Sequence, residues 1–157
     1  MSDTSDKKDK PKSDQLELAS VVAGRVSIDA ILLSESRTRR TPDFGSGSEE
    51  VEYNTKIKEI SFGFEREQKK IFIVPSFSFQ GKTEEQSEGD ESLVIEATFV
   101  LIYSLESLDG VEEKHVEAFG STSGVYNAWP YWREFVQNTS VRMGISPLVV
   151  PVFRLKA

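Results

Sequence analysis

Cysteine is absent from this 157-residue sequence, histidine occurs once, and basic side chains are outnumbered by acidic ones, 19 to 26. Without cysteine there is no disulfide, no thiolate nucleophile and no cysteine-based zinc site, which agrees with a reducing compartment. The single histidine, His115, excludes a histidine metal cluster and gives a catalytic triad little support; it reads as a solvated or capping residue. A formal net charge of −7 and a pI near 4.9 oppose a nucleic-acid or anionic-membrane surface, which needs clustered Lys and Arg. No apolar run approaches the roughly 20 residues of a membrane-spanning helix, and the charged start MSDTSDKKDKPKSDQ lacks the apolar stretch of a secretory signal. The expectation is a cytoplasmic protein with no cofactor, no metal, no nucleic acid and no membrane insertion, whose partners are neutral or basic.

What is present reads as one domain behind a charged tail. The length suits one ordinary core and is short for two. Residues 1–14 mix Lys7, Lys8, Lys10 and Lys12 with Asp3, Asp6, Asp9 and Asp14, offer almost nothing apolar, and read as disordered, leaving a single domain over 15–157. Val22, Val26, Ile28, Ala30 and Leu32 then alternate with Arg25, Ser27 and Asp29, the period-two signature of a half-buried strand. SESRTRRTPDFGSGSEE, with Pro42, Gly45 and Gly47 among charges, reads as a long loop. Ile60, Phe62 and Phe64 against Glu59, Ser61 and Gly63 predict a second strand, ending in the turn EREQKK. A third strand follows in IFIVPSFSF, where Pro75 cannot donate to a ladder and places it at an edge or a bulge. After the acidic loop GKTEEQSEGDE, LVIEATFVLIYSL predicts a fourth strand that is apolar on both faces.

The period then changes. Val125, Ala128, Trp129, Trp132, Phe135, Val136, Thr139 and Met143 recur at helical spacing, opposite Arg133, Glu134, Gln137 and Asn138. Pro130 is tolerable near a first turn, which makes Asn127 the expected N-cap or the mark of a kink; Gly144 is placed to end the helix and Pro147 to keep it from resuming. The fold class is therefore α+β, a four-stranded antiparallel sheet with one long C-terminal helix packed on one face. The other face keeps Phe72, Val74, Val94, Val100 and Ile102, each worth about 1.5–3 kcal/mol when buried, so association of subunits is expected.

Asn127, Trp129-Pro130-Tyr131 and Arg133-Glu134 resemble the asparagine, aromatic-Pro-Tyr, Arg-Glu signature in the main helix of the SecB export chaperones. Arg142 and Gly144, Pro147-Leu148 and Pro151-Val152 follow in that family's order, so the specific likeness covers 127–152 and the coarse pattern most of the domain. The resemblance implies an ATP-independent holdase without catalytic chemistry, a dimer of dimers that keeps unfolded or precursor proteins competent for export and hands them to SecA; a SecB relative instead protects antitoxins in toxin-antitoxin systems. The family continues past Pro-Val into a further helix, which is not expected in FRLKA; either the groove is more open or that helix is dispensable. The acidic residues by which SecB engages SecA have no clear counterpart, Asp29 and Glu35 being the nearest in strand one.

A holdase needs exposed apolar area rimmed with charge. Phe62, Phe64, Phe77, Phe79, Val125 and Tyr126 are the candidate client contacts, against the ordinary alternative that aromatics at strand period form core; Trp129, Trp132 and Phe135 go to core or subunit contact. The acidic cluster Glu84, Glu85, Glu88, Asp90 and Glu91 lacks the pattern of a calcium loop and reads as solvated, Gly45-Ser46-Gly47 opens no helix and so argues against phosphate binding, and Arg37, Arg39 and Arg40 read as a basic loop patch. Two rivals remain: a dedicated assembly or antitoxin-associated subunit with one partner, and a small enzyme with two converging carboxylates, for which spacing offers no pair.

Overall fold

A computed structural model of the protein describes residues 10–45 and 50–154, with side chains from residue 13 on. Helix α1 (Lys10–Ala23) is followed by four strands, β1 (Val26–Arg40), β2 (Glu52–Glu65), β3 (Lys70–Lys82) and β4 (Leu93–Leu105). Helix α2 (Glu113–Phe119) then passes through a π-helical turn (Gly120–Gly124) directly into helix α3 (Val125–Arg142). All strand pairs are antiparallel and the order is β1-β4-β3-β2. The expected α+β architecture, with one long C-terminal helix on one sheet face, is thus present. Among the described residues no helix follows α3.

The core lies between sheet and helices. On that side β4 contributes Leu93, Ile95, Ala97, Phe99, Leu101, Tyr103 and Leu105, all buried, and β3 contributes Ile71, Ile73, Phe77 and Phe79. Period two in both strands puts these side chains on one face. Helix α3 answers with Val125, Ala128, Trp129, Trp132 and Val136. Phe77 stacks on Trp132 at 5.4 Å between centroids and meets the edge of Trp129 at 5.6 Å, so of the residues assigned to core or subunit contact the two tryptophans are core, while Phe135 is only half-buried. The Trp132 indole N–H donates to Thr55 Oγ1 at 3.3 Å, which satisfies its one polar atom.

Several elements differ from the expectation. Of the charged tail read over 1–14, residues 1–9 lie outside the described ones, and residues 10–14 form the first turn of α1. Val22, read as the start of strand one, sits fully buried in α1, because Leu18, Ala19 and Val22 share a helical face against α2. The loop read after strand one begins later, since β1 continues through Arg40. There Arg37 and Arg39 are strand residues, held by ion pairs to Glu96 at 3.3 Å and Glu91 at 3.9 Å. Pro75 lies in an interior strand; the ladder to β4 skips Val74 and Pro75, where the proline has no N–H to give, and β2 carries a bulge nearby between Ile57 and Glu59.

The helical run also starts earlier than expected. Asn127 is therefore no N-cap and Pro130 no first-turn residue, because the chain is already helical from Glu113. Pro130 has no N–H to give the Tyr126 carbonyl, and both residues are exposed. Gly144, at φ 72°, does terminate α3. The π turn lies flat on the sheet, and only glycine fits there. A Cβ at Gly120 would come within 2.5 Å of the Phe62 ring, and one at Gly124 within 2.9 Å of Ile73.

Candidate functional site

The signature residues divide into those that hold the fold and those that face water. Asn127 donates from Nδ2 to the hydroxyl of buried Tyr103 at 3.0 Å; burial pushes that phenol's pKa up. Trp129 Nε1 donates to the carbonyl of Pro151 at 2.7 Å, and Arg133 Nε to that of Val150 at 2.9 Å. Both bonds tie the segment that follows the helix, residues 145–154, back along α3. Pro130, Tyr131 and Glu134 are exposed. The sequence pattern thus marks, in good part, how the C-terminal segment is strapped down.

The six candidate client contacts do not form one exposed surface. Phe77, Phe79 and Val125 are 0, 4 and 0% exposed, locked between sheet and helix, so they belong to the core and are closed to a client. Phe64 is half-buried with the Arg66 guanidinium 4.8 Å above its ring. Phe62 and Tyr126 are at the surface, at 37 and 56% exposed. The burial statistics of strand aromatics prevailed for the rest.

Among the described residues, half of the exposed large hydrophobic ones lie on β1 (Ile28, Leu32, Leu33) and α3 (Tyr126, Tyr131, Val141); the others are Leu16, Tyr53, Ile57, Phe62, Val149 and Val152. β1 is an edge strand of 15 residues with Ile28, Leu32 and Leu33 about half exposed. Leu33 pairs with Phe99 and Ile31 with Leu101, so these side chains extend the helix-covered face beyond the reach of α3. On the flank of α3, above Phe99 of β4, lies a cleft of about 270 Å³ lined by Phe99, Tyr131, Phe135 and Thr139 together with the polar Glu134, Asn138 and Arg142. Phe135 meets the edge of Phe99 at 6.4 Å across its floor. Apolar floor and charged rim are what an extended chain segment needs to dock while the protein stays dissolved.

The open face of the sheet has two halves. One is apolar: Phe72 pairs with Ile102, Ile102 with Ala30, and Leu32 with Val100. The other is charged, a depression of about 290 Å³ where Glu96 takes an ion pair from Arg37 at 3.3 Å and from Lys58 at 3.4 Å; the Arg37 bond holds the Glu96 carboxyl below its ordinary pKa. Glu35 is at its edge. Asp29 accepts from Lys70 and Ser104 at the apolar end, and the Lys70 bond lowers its pKa. Val94, counted on this face, is only 1% exposed.

Other sequence readings resolve locally. Glu91 is buried rather than solvated, because its carboxylate accepts the Gly89 N–H at 2.9 Å, which depresses its pKa and closes the loop. His115 is a capping residue: its Nδ1 accepts the Glu112 N–H at 2.9 Å. Ser46 and Gly47 of the glycine pair lie outside the described residues. No helix among the described residues is long and apolar enough to cross a membrane.

No family model matches the sequence, and no curated protein matches it. Solved structures do. The SecB-like chaperone Rv1957 of Mycobacterium tuberculosis, in complex with a ChAD peptide from the Rv1956 HigA1 antitoxin, superposes with a TM-score of 0.74 at 17% identity, over 90% of this chain and 99% of that one. A protein of unknown function from Streptococcus agalactiae aligns over 80% of this chain and 96% of its own at 11% identity, but its TM-score of 0.37 is too low to bear on the fold. The chain thus has the fold of a SecB-like chaperone.

Proposed function

We propose that this protein is an ATP-independent holdase that binds extended apolar segments of non-native proteins and performs no chemistry of its own. The observation that carries the reading is the apolar surplus of β1 and the α3 flank: side chains that a finished monomer leaves in water although each is worth about 1.5–3 kcal/mol when covered. The surplus divides between two uses. The long β1 edge, with unpaired backbone groups and half-exposed Ile28, Leu32 and Leu33, suits pairing with a second copy in a homo-oligomer, a dimer of dimers on the pattern of the SecB family. The cleft beside Tyr131 and Phe135, with Tyr126 at the helix start, suits the client. Acidic surface adds long-range attraction for basic segments of precursor proteins.

The tuberculosis chaperone of this fold holds an antitoxin peptide, which supports peptide capture by the same architecture and raises a second reading, a dedicated partner of one antitoxin-like protein. Export with hand-over to SecA is the alternative duty, in the cytoplasm. An aggregation-suppression assay with several unrelated unfolded proteins and no nucleotide separates them. Suppression of all at near-stoichiometric ratios is expected of a general holdase; protection of a single partner indicates the dedicated role, and inertness toward every client removes the holdase reading.

A further inference from the structure

One flank of α3 is open and the other is already filled. The filled flank carries Trp129, Arg133 and Ser140, and its occupant is the chain's own residues 148–153, which form neither helix nor strand. The Leu148 N–H donates to Ser140 Oγ at 3.1 Å, Arg133 and Trp129 donate to the consecutive carbonyls of Val150 and Pro151, and the Phe153 ring lies 5.2 Å from that of Trp129. Val150 is 1% exposed, while Val149 and Val152 point to water at 75 and 62%. Among the described residues the N–H groups of Val149, Val150, Val152 and Phe153 meet no protein acceptor. A peptide on a docking groove is held in this way: a few side chains turned in, here Leu148, Val150 and Phe153, main-chain carbonyls read by side-chain donors, and little dependence on sequence beyond one small aliphatic and one aromatic residue.

We propose that this flank is a binding site for extended aliphatic segments of other chains, that residues 148–153 are its resident ligand, and that a client occupies it by displacing them. The proposal rests on the holdase reading and supplies its regulation. Contacts made through main-chain carbonyls do not distinguish the chain's own segment from a foreign one. A resident tethered directly to the end of α3 competes at an effective concentration on the order of millimolar, so the site is closed to weak or scarce ligands and opens to high local concentrations of unfolded chain.

The test uses the full chain and a fluorescent peptide of sequence SPLVVPVF, read by anisotropy. Val150→Asp places a charge where the resident segment is buried and is expected to bind the peptide at least tenfold more tightly than the unaltered protein. Phe153→Ser, a milder change at a half-buried position, is expected to shift affinity in the same direction by a smaller factor, and serves if the first variant melts early by circular dichroism. Arg133→Gln added to Val150→Asp is expected to reverse much of the gain, which general loosening of the fold would not do. An unfolded client added to the complex should release the peptide. Equal peptide affinity in the loosened and unaltered proteins overturns the proposal, as does a client that binds while the peptide stays in place, an outcome that leaves the holdase reading standing. Failure of every client in the aggregation assay removes both.

Discussion

Strands β1 and β4 are partners over 13 register pairs, both are rich in branched aliphatic residues, and yet they live in different environments. β4 is buried or half-buried along its whole length, whereas most of β1 is exposed. The difference is topological. β4 has a strand on either side and helices above, while β1 has β4 on one side and water on the other, beyond the reach of α3. Apolar pattern reports which side chains want cover; sheet order decides which of them get it within one copy.

The register offers direct ways to break that comparison. Phe99 and Leu33 are cross-strand partners on the same face, 4 and 50% exposed. Phe99→Ala is expected to lower unfolding free energy by about 3–5 kcal/mol, measured by denaturant titration, because it leaves a cavity among Phe77 and Phe135. Next in size, Gly120→Ala is expected to cost about 1–3 kcal/mol, since the added methyl group meets the Phe62 ring and the buried Ile73 side chain and something must shift to admit it. Leu33→Ala should cost under about 1 kcal/mol in dilute monomer, and sedimentation should show weaker association. A loss at Leu33 as large as that at Phe99 in dilute protein would mean that β1 is covered, and the contrast would fall.

The smallest expected effect is one of pH. Arg37 to Glu96 and Lys70 to Asp29 fasten β1 to the sheet's open face, and both carboxyls are held below their ordinary pKa by those bonds. A depressed carboxylate stabilises fully above its unfolded pKa and loses that contribution as pH falls through the folded one. The melting temperature is expected to be flat from pH 7 to about 5 and to fall below that range, less steeply in Glu96→Gln.

Much of the sheet was legible because its signals are local. Alternation in LVIEATFVLIYSL and IFIVPSFSF locates β4 and β3, and the spacing from Val125 to Met143 locates the body of α3. Helix α1 is less legible because it begins in a charged stretch with nothing to bury, and Val22 near its end falls in step with the alternation of the strand that follows. The π turn escaped because GSTSG has the composition of a loop; its helical geometry comes from packing on Phe62 and Ile73, which no local pattern announces. The site was less legible than the fold. Phe77 and Phe79 read the same whether they face a client or a core, and it is the position of α3 that decides. The roles of Trp129 and Arg133 depend on carbonyls about 20 residues downstream, a distance at which a single sequence carries no pairing signal.

The order β1-β4-β3-β2 also sets a sequence of events in time. β2, β3 and β4 follow one another along the chain and close by short connections, while β1 must wait for a strand more than 50 residues away. On a nascent chain the earliest strand synthesised is thus the last to be zipped into place, and its amides are expected to exchange with deuterium sooner than those of β4.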